Sequence, residues 1–140
     1  MKTFLLLILL LLCADLAVVN AQNKVPANNK TRVEVYYFHP TERCPIDQAI
    51  EENTKKLMQT DFAKEIKDGT IKFQVLNTED KANAKIVSKF DINAQALYVV
   101  KLDKGKEIKN DLTNFAFSNG QSNPLKFKYR LKDEIGKALK

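Results

Sequence analysis

Apolar and polar residues repeat along this chain with two different periods, and the places where one period gives way to the other mark out its elements. Val33, Val35, Tyr36, Tyr37 and Phe38 form a nearly unbroken apolar run, the pattern of a strand covered on both faces, and Pro40 ends it. From Pro45 the spacing becomes helical. Ile46, Ile50, Leu57 and Phe62 fall on one face, "EENTKK" lies mostly on the other, and Asp68-Gly69 stops this long helix. In "TIKFQVLNTED" the alternation of Ile71, Phe73 and Val75 predicts a second strand. Asp80 then caps a helix whose inner side is Ala82, Ile86 and Phe90. "AQALYVVKLDKGKEIKNDL" reads as a β-hairpin around Asp103-Lys104-Gly105, whose glycine takes the positive φ such turns need. After a loop, "FSNGQSNP", Asn123 caps and Pro124 opens a last helix with the core stripe Phe127, Leu131, Ile135 and Leu139.

The predicted order is therefore β-α-β-α-β-β-α. A strand-helix-strand start implies a right-handed crossover and a parallel pair, and the hairpin adds antiparallel strands to the same sheet. The expected architecture is α/β, a three-layer sandwich with helices on both faces of a central mixed sheet.

Only part of the chain is needed for that core. The whole is 140 residues with 44% hydrophobic content, enough for one domain and too short for two. "MKTFLLLILLLLCADLAVVNAQ" has one basic residue, Lys2, an apolar run from Phe4 to Leu12 and the small-residue pattern Val19-Asn20-Ala21. Residues 1–21 are thus expected to be a secretory signal cleaved after Ala21, 22–31 a polar leader, and 32–140 the domain. The product is expected to be exported, periplasmic or secreted. Membrane attachment is expected only if the signal is retained or Cys13 is lipidated, and Leu12 is a poor residue to precede a lipidated cysteine. Asn29-Lys30-Thr31 fits the short N-glycosylation pattern.

Cleavage removes Lys2 together with Asp15, so the net charge stays at +6. The basic residues are interspersed with acids, as in "DKANAKIVSKFD", which fits a solvated surface and gives no sign of nucleic-acid binding. The sequence has no Gly-rich phosphate loop, no C-x-x-C or H-E-x-x-H metal motif and no internal repeat, so no cofactor is expected.

Cleavage also leaves Cys44 as the one cysteine of the exported protein. It stands where the first strand runs into the first helix, at "FHPTERCPID". Free amides at a helix start favour a thiolate, Arg43 adds a positive charge beside it, protonated His39 adds another, and Pro45 sets the helix start. Asp47 acts the other way. Three residues into the helix, its carboxylate can bond back to the first-turn amides as in a capping box, and it is a like charge for a thiolate. His39, Cys44 and Asp47 are also the residues that a soft metal ion would use, although two or three donors across a loop are an unspecific signal.

That order of elements, with a cysteine at the first strand-to-helix junction, resembles the thioredoxin fold. "VEVYYFHPTERC", "AIEENTKK", "DGTIKFQVLN" and "KNDLTNFAFS" are similar to the exported bacterial proteins of the ArsF family, described as nitroreductase-subunit-like. The resemblance runs from about Val33 to the C-terminus and implies fold and compartment more than activity. It also implies what is missing. Thioredoxin-like relatives carry C-x-x-C here, whereas this chain reads Cys44-Pro45-Ile46-Asp47. The proline that faces the cysteine in such folds corresponds to a position near Ala96, and their buried acid six residues before the cysteine corresponds to Phe38.

With one thiol, disulfide exchange can begin but cannot be resolved from within. The sequence is read first as a protein whose Cys44 performs at most monothiol exchange or covalent capture of a partner, with Arg43, Pro45 and His39 around it. The partner is an unidentified protein or an external thiol reductant, and two copies can join through Cys44. The alternative is a redox-inactive binding module that uses the loop from His39 to Asp47 and the facing segment from Asn93 to Ala96. A thiol or metal carrier is a third reading.

Overall fold

The computed structural model describes residues 32–140. The expected signal, the leader and Cys13 lie outside the described residues. In chain order the elements are β1 (Val33–His39), α1 (Pro45–Thr60), α2 (Ala63–Lys67), β2 (Ile71–Asn77), α3 (Ala84–Lys89), β3 (Ala96–Asp103), β4 (Lys106–Asp111), α4 (Thr113–Asn119) and α5 (Pro124–Leu139). A single 3-10 turn, Lys81–Asn83, leads into α3.

The four strands form one sheet in the order β2-β1-β3-β4. β1 and β2 run parallel, with Val33 opposite Ile71 and His39 opposite Asn77. β3 is antiparallel to both β1 and β4. Lys104 and Gly105 both take positive φ, 50° and 80°, so the hairpin turn follows the right-handed twist of its strands.

The pleat of β1 divides the core as its apolar run requires. Val33, Val35 and Tyr37 face a large cluster completed by Ile50, Leu57, Leu97, Val99, Phe127, Leu131 and Ile135, so α1 and α5 cover that face. Tyr36 and Phe38 point the other way, against Phe90, Ala96 and Val100, beneath α3. Helices therefore lie on both faces of a mixed sheet. This strand order, with one parallel and two antiparallel pairings, is the thioredoxin-like α/β sandwich.

Three local readings change. The long helix ends at Thr60, because the chain turns at Asp61 so that Phe62 can be buried at the start of α2. Ala82 lies in the exposed 3-10 turn, and Ile86, Val87 and Phe90 supply the apolar side of α3; Asp80 does cap the turn, accepting from the Ala82 amide at 2.9 Å. The stretch between the hairpin and the loop "FSNGQSNP" carries no predicted element, and there α4 forms, running from Thr113 into the first three residues of that loop, with Ala116 fully buried. Its Thr, Asn and Ser content hides the helical spacing of Leu112, Phe115 and Ala116.

Candidate functional site

The corner between β1 and α1 is built from both ends. At the end of β1 the His39 carbonyl accepts from the Thr78 amide at 2.8 Å, which ties the loop to the end of β2. Asn77 Nδ2 donates to Thr41 Oγ1 at 3.0 Å and adds a second tie. The His39 ring is half-buried, tilted against Tyr37, and its Nδ1 donates to the Pro40 carbonyl oxygen at 2.8 Å. A carbonyl only accepts, so Nδ1 carries the proton.

Cys44 is the N-cap of the 16-residue α1, extended at φ −83° and ψ 166°, and Pro45 follows at the first helical position. Cys44 is exposed and in no disulfide, and no other cysteine occurs among the described residues. Behind it Asp47 is buried, at 1% exposure. Its Oδ2 accepts from the Cys44 amide at 3.0 Å, and its Oδ1 accepts from the Tyr37 hydroxyl at 3.1 Å. The same hydroxyl lies 3.0 Å from the Asp47 carbonyl, and Gln95 Nε2 lies 3.5 Å from Oδ2. Burial pushes the Asp47 carboxyl up, but the bonds from Cys44, Gln95 and Tyr37 outweigh it and hold the acid below its usual range. Burial, then the neighbouring Asp47 charge, pushes the Tyr37 hydroxyl well above its usual value.

Arg43 is engaged by Glu51 and Tyr37. Its guanidinium pairs with Glu51, which also binds Lys55, and it lies 6.0 Å from the centre of the Tyr37 ring. Burial pushes the Glu51 carboxyl up, and the Lys55 and Arg43 charges bring it below its usual value. Arg43 Nε is buried without a hydrogen-bond partner.

The structure thus brings Cys44, Pro45, Asp47 and Arg43 together at one corner, with His39 at the end of the strand below. Of the facing segment, Asn93 is exposed, whereas Ala96 is buried at 5%, paired with Phe38 in the sheet. The residue that reaches the corner is Gln95. Sequence reading held Gln95 only as an unnamed member of the segment from Asn93 to Ala96, and did not place Tyr37 or Glu51 at the site. Only Gln95 left a signal, as a polar residue directly before a buried strand at the level of the helix start. Among the described residues no three His, Cys, Asp or Glu side chains converge as a metal site requires.

No protein-family model and no curated protein matches the chain. Among solved structures it is similar to the thioredoxin of Fasciola hepatica, at 18% identity and a TM-score of 0.48, over 79% of this chain and 84% of that one. The fold itself is established by the strand order and directions given above.

Proposed function

We propose that this is an exported thioredoxin-like protein of the ArsF-like kind, whose Cys44 forms mixed disulfides and acts with a single thiol. The observation that supports it most is the exposure of Cys44 at the start of a long helix, with a buried carboxylate where a resolving thiol would stand. In the step envisaged, the Cys44 thiolate attacks one sulfur of a partner disulfide. The Cys44 Sγ–S bond forms as the partner's S–S bond breaks, and the second partner sulfur leaves as a thiolate. Cys44 is oxidised and that sulfur is reduced. A second, external thiol then releases Cys44 by attacking the mixed disulfide, since no second cysteine is at hand.

A second reading is favoured by one specific observation. Arg43 is engaged by Glu51, so the charge that sequence reading assigned to the thiol is partly offset. That arrangement suits a redox-inactive module that binds an exported partner through the His39–Asp47 corner.

One experiment separates the two. The protein from Gln22 onward is incubated with glutathione disulfide, and its intact mass is followed. Monothiol chemistry predicts one glutathione per chain, bound at Cys44, removed by added glutathione and absent in Cys44→Ser. A native protein that gains no adduct, but does so once denatured, overturns the monothiol reading in favour of the binding module.

A further inference from the structure

β4 closes one end of the sheet, and among the described residues no strand lies on its outer side. Asp103 and Lys106 flank the two-residue turn, so they form a hydrogen-bonded pair, and bonded and non-bonded pairs alternate from there. Lys106, Ile108 and Asn110 therefore bond to β3. The bond from the Leu112 amide to the Leu97 carbonyl, 2.8 Å, continues the same alternation. Glu107, Lys109 and Asp111 are left with their N–H and C=O groups turned outward, along a strand exposed at five of its six residues.

Charges usually blunt such an edge. On β4 they run in a self-complementary order. An antiparallel pairing of β4 with a second copy obeys a two-fold axis perpendicular to the sheet, so one residue must face itself. With Lys106, Glu107, Lys109 or Asp111 on the axis, a charge opposes its own kind. With Asn110 on it, only residues 109–111 overlap, because β4 ends at Asp111. With Ile108 on it, residues 106–110 overlap, Glu107 opposes Lys109 twice, and Lys106 opposes Asn110. The two isoleucines then meet. Ile108 is a large apolar side chain left 57% exposed, and the shallow cleft of about 190 Å³ beside it is lined also by Val99 and Ala138.

We infer that β4 pairs with β4 of a second copy, antiparallel and centred on Ile108, doubling the four-stranded sheet. Backbone bonds between Glu107 of each copy and Lys109 of the other hold the ladder, and the isoleucines cover one another. A second copy is the occupant that carries this order of acid, isoleucine and base by necessity. Within the chain Glu107 also pairs with Lys89, and Lys109 Nζ lies 4.0 Å from the centre of the Phe90 ring. Each charge is therefore shared, which makes it a guide to register more than a source of affinity. The ladder is short and buries less than the roughly 1,200 Å² of stable complexes, so the dimer is a weak one. β4 lies two strands, about 10 Å, from β1, and the Cys44 corner takes no part.

The test uses the protein from Gln22 onward, since both described core clusters lie within 32–140, with a reductant present so that no copies join through Cys44. Sedimentation equilibrium between about 10 µM and about 1 mM is expected to show reversible dimerisation, with amide shifts at Glu107, Ile108 and Lys109 that grow with concentration. Glu107→Lys and Lys109→Glu each set two like-charge pairs across the axis. Each alone is expected to weaken the dimer about tenfold or more, with an unchanged circular dichroism spectrum. Mixed in equal amounts, the two variants are expected to associate again, one with the other, because the introduced lysine then faces the introduced glutamate. A chain carrying both substitutions is expected to pair with itself. The inference is overturned by a chain that stays monomeric at the highest concentration, by a dimer that either variant leaves intact, or by folded variants that fail to associate when mixed or combined.

Discussion

Asp47 Oδ2 accepts from the backbone amide of Cys44 at 3.0 Å. The residue standing where a dithiol site has its second cysteine therefore fixes the first helical turn beneath the thiol that remains. It is also the meeting point of three elements, because Tyr37 of β1 and Gln95 before β3 reach the same carboxylate. The corner is tied together by an acid that is itself buried.

Removing that acid has a definite cost. Asp47→Ala leaves the Cys44 amide without its side-chain acceptor and the Tyr37 hydroxyl with the backbone carbonyl of residue 47 alone, and is expected to lower stability by about 2 kcal/mol. Asp47→Asn, which keeps an acceptor oxygen, is expected to lose less. Because the folded carboxyl is held below its ordinary value, its contribution is complete above about pH 4 and disappears as pH falls through the lower folded-state value. Urea midpoints of the native protein and Asp47→Ala should therefore converge on acidification. A gap that persists at low pH would show that the ionised carboxylate is not its source.

Asp47→Cys tests whether the backbone of a dithiol site survives. Positions 44 and 47 lie at the N-cap and the third residue of α1, one helical turn apart, a spacing a disulfide can span. The expected product under mild oxidation is one internal disulfide and no glutathione adduct, scored by intact mass after alkylation. A variant that still accumulates glutathione on Cys44 would show that the turn no longer holds that geometry.

Sequence reading reached the sheet and most of the core because those depend on side-chain period. The run Val33 to Phe38 could only be a strand covered twice, and Phe127, Leu131 and Ile135 could only face inward. It missed α4 and the break at Asp61, where polar composition and one buried phenylalanine decide a turn that no period announces. At the site, the position of Cys44 and the capping bond from its amide to Asp47 were legible, and the partners that engage Arg43 and bury Asp47 were not. The engagement of Arg43 by Glu51, eight residues on, needs the coiling of α1 to be seen. The burial of Asp47 likewise follows from Tyr37 and Gln95, which come from distant parts of the chain.

Arg43→Ala distinguishes a structural arginine from one that serves the thiol. Glu51 would keep Lys55 alone, so a stability loss of about 1–2 kcal/mol is expected. Glu51 already holds the guanidinium and offsets part of its charge, so the alkylation rate of Cys44 at neutral pH is expected to change less than about threefold. Both are read on one preparation, by denaturation and by iodoacetamide kinetics. A rate that collapses while stability holds would assign Arg43 to the thiol.

Two glycines should respond with opposite signs to the same change. Gly120 is buried where the end of α4 meets α1, and Asn53 Nδ2 donates to its carbonyl at 3.1 Å. A Cβ there would lie 2.5 Å from Ile50 Cγ1 and 2.8 Å from the Ala116 carbonyl oxygen. Ile50 is fully buried and cannot swing away, so Gly120→Ala is expected to cost about 1–3 kcal/mol through overpacking. Gly136 sits inside α5 with nothing within 4 Å of a Cβ. There, alanine only restricts the unfolded chain and favours the helix, so Gly136→Ala is expected to stabilise by about 0.5–1 kcal/mol. Thermal midpoints of the two variants should bracket that of the native protein. A Gly120→Ala variant as stable as the native protein would mean that α4 can withdraw from α1 at little cost, and that this helix contributes little to holding the cysteine-bearing one in place.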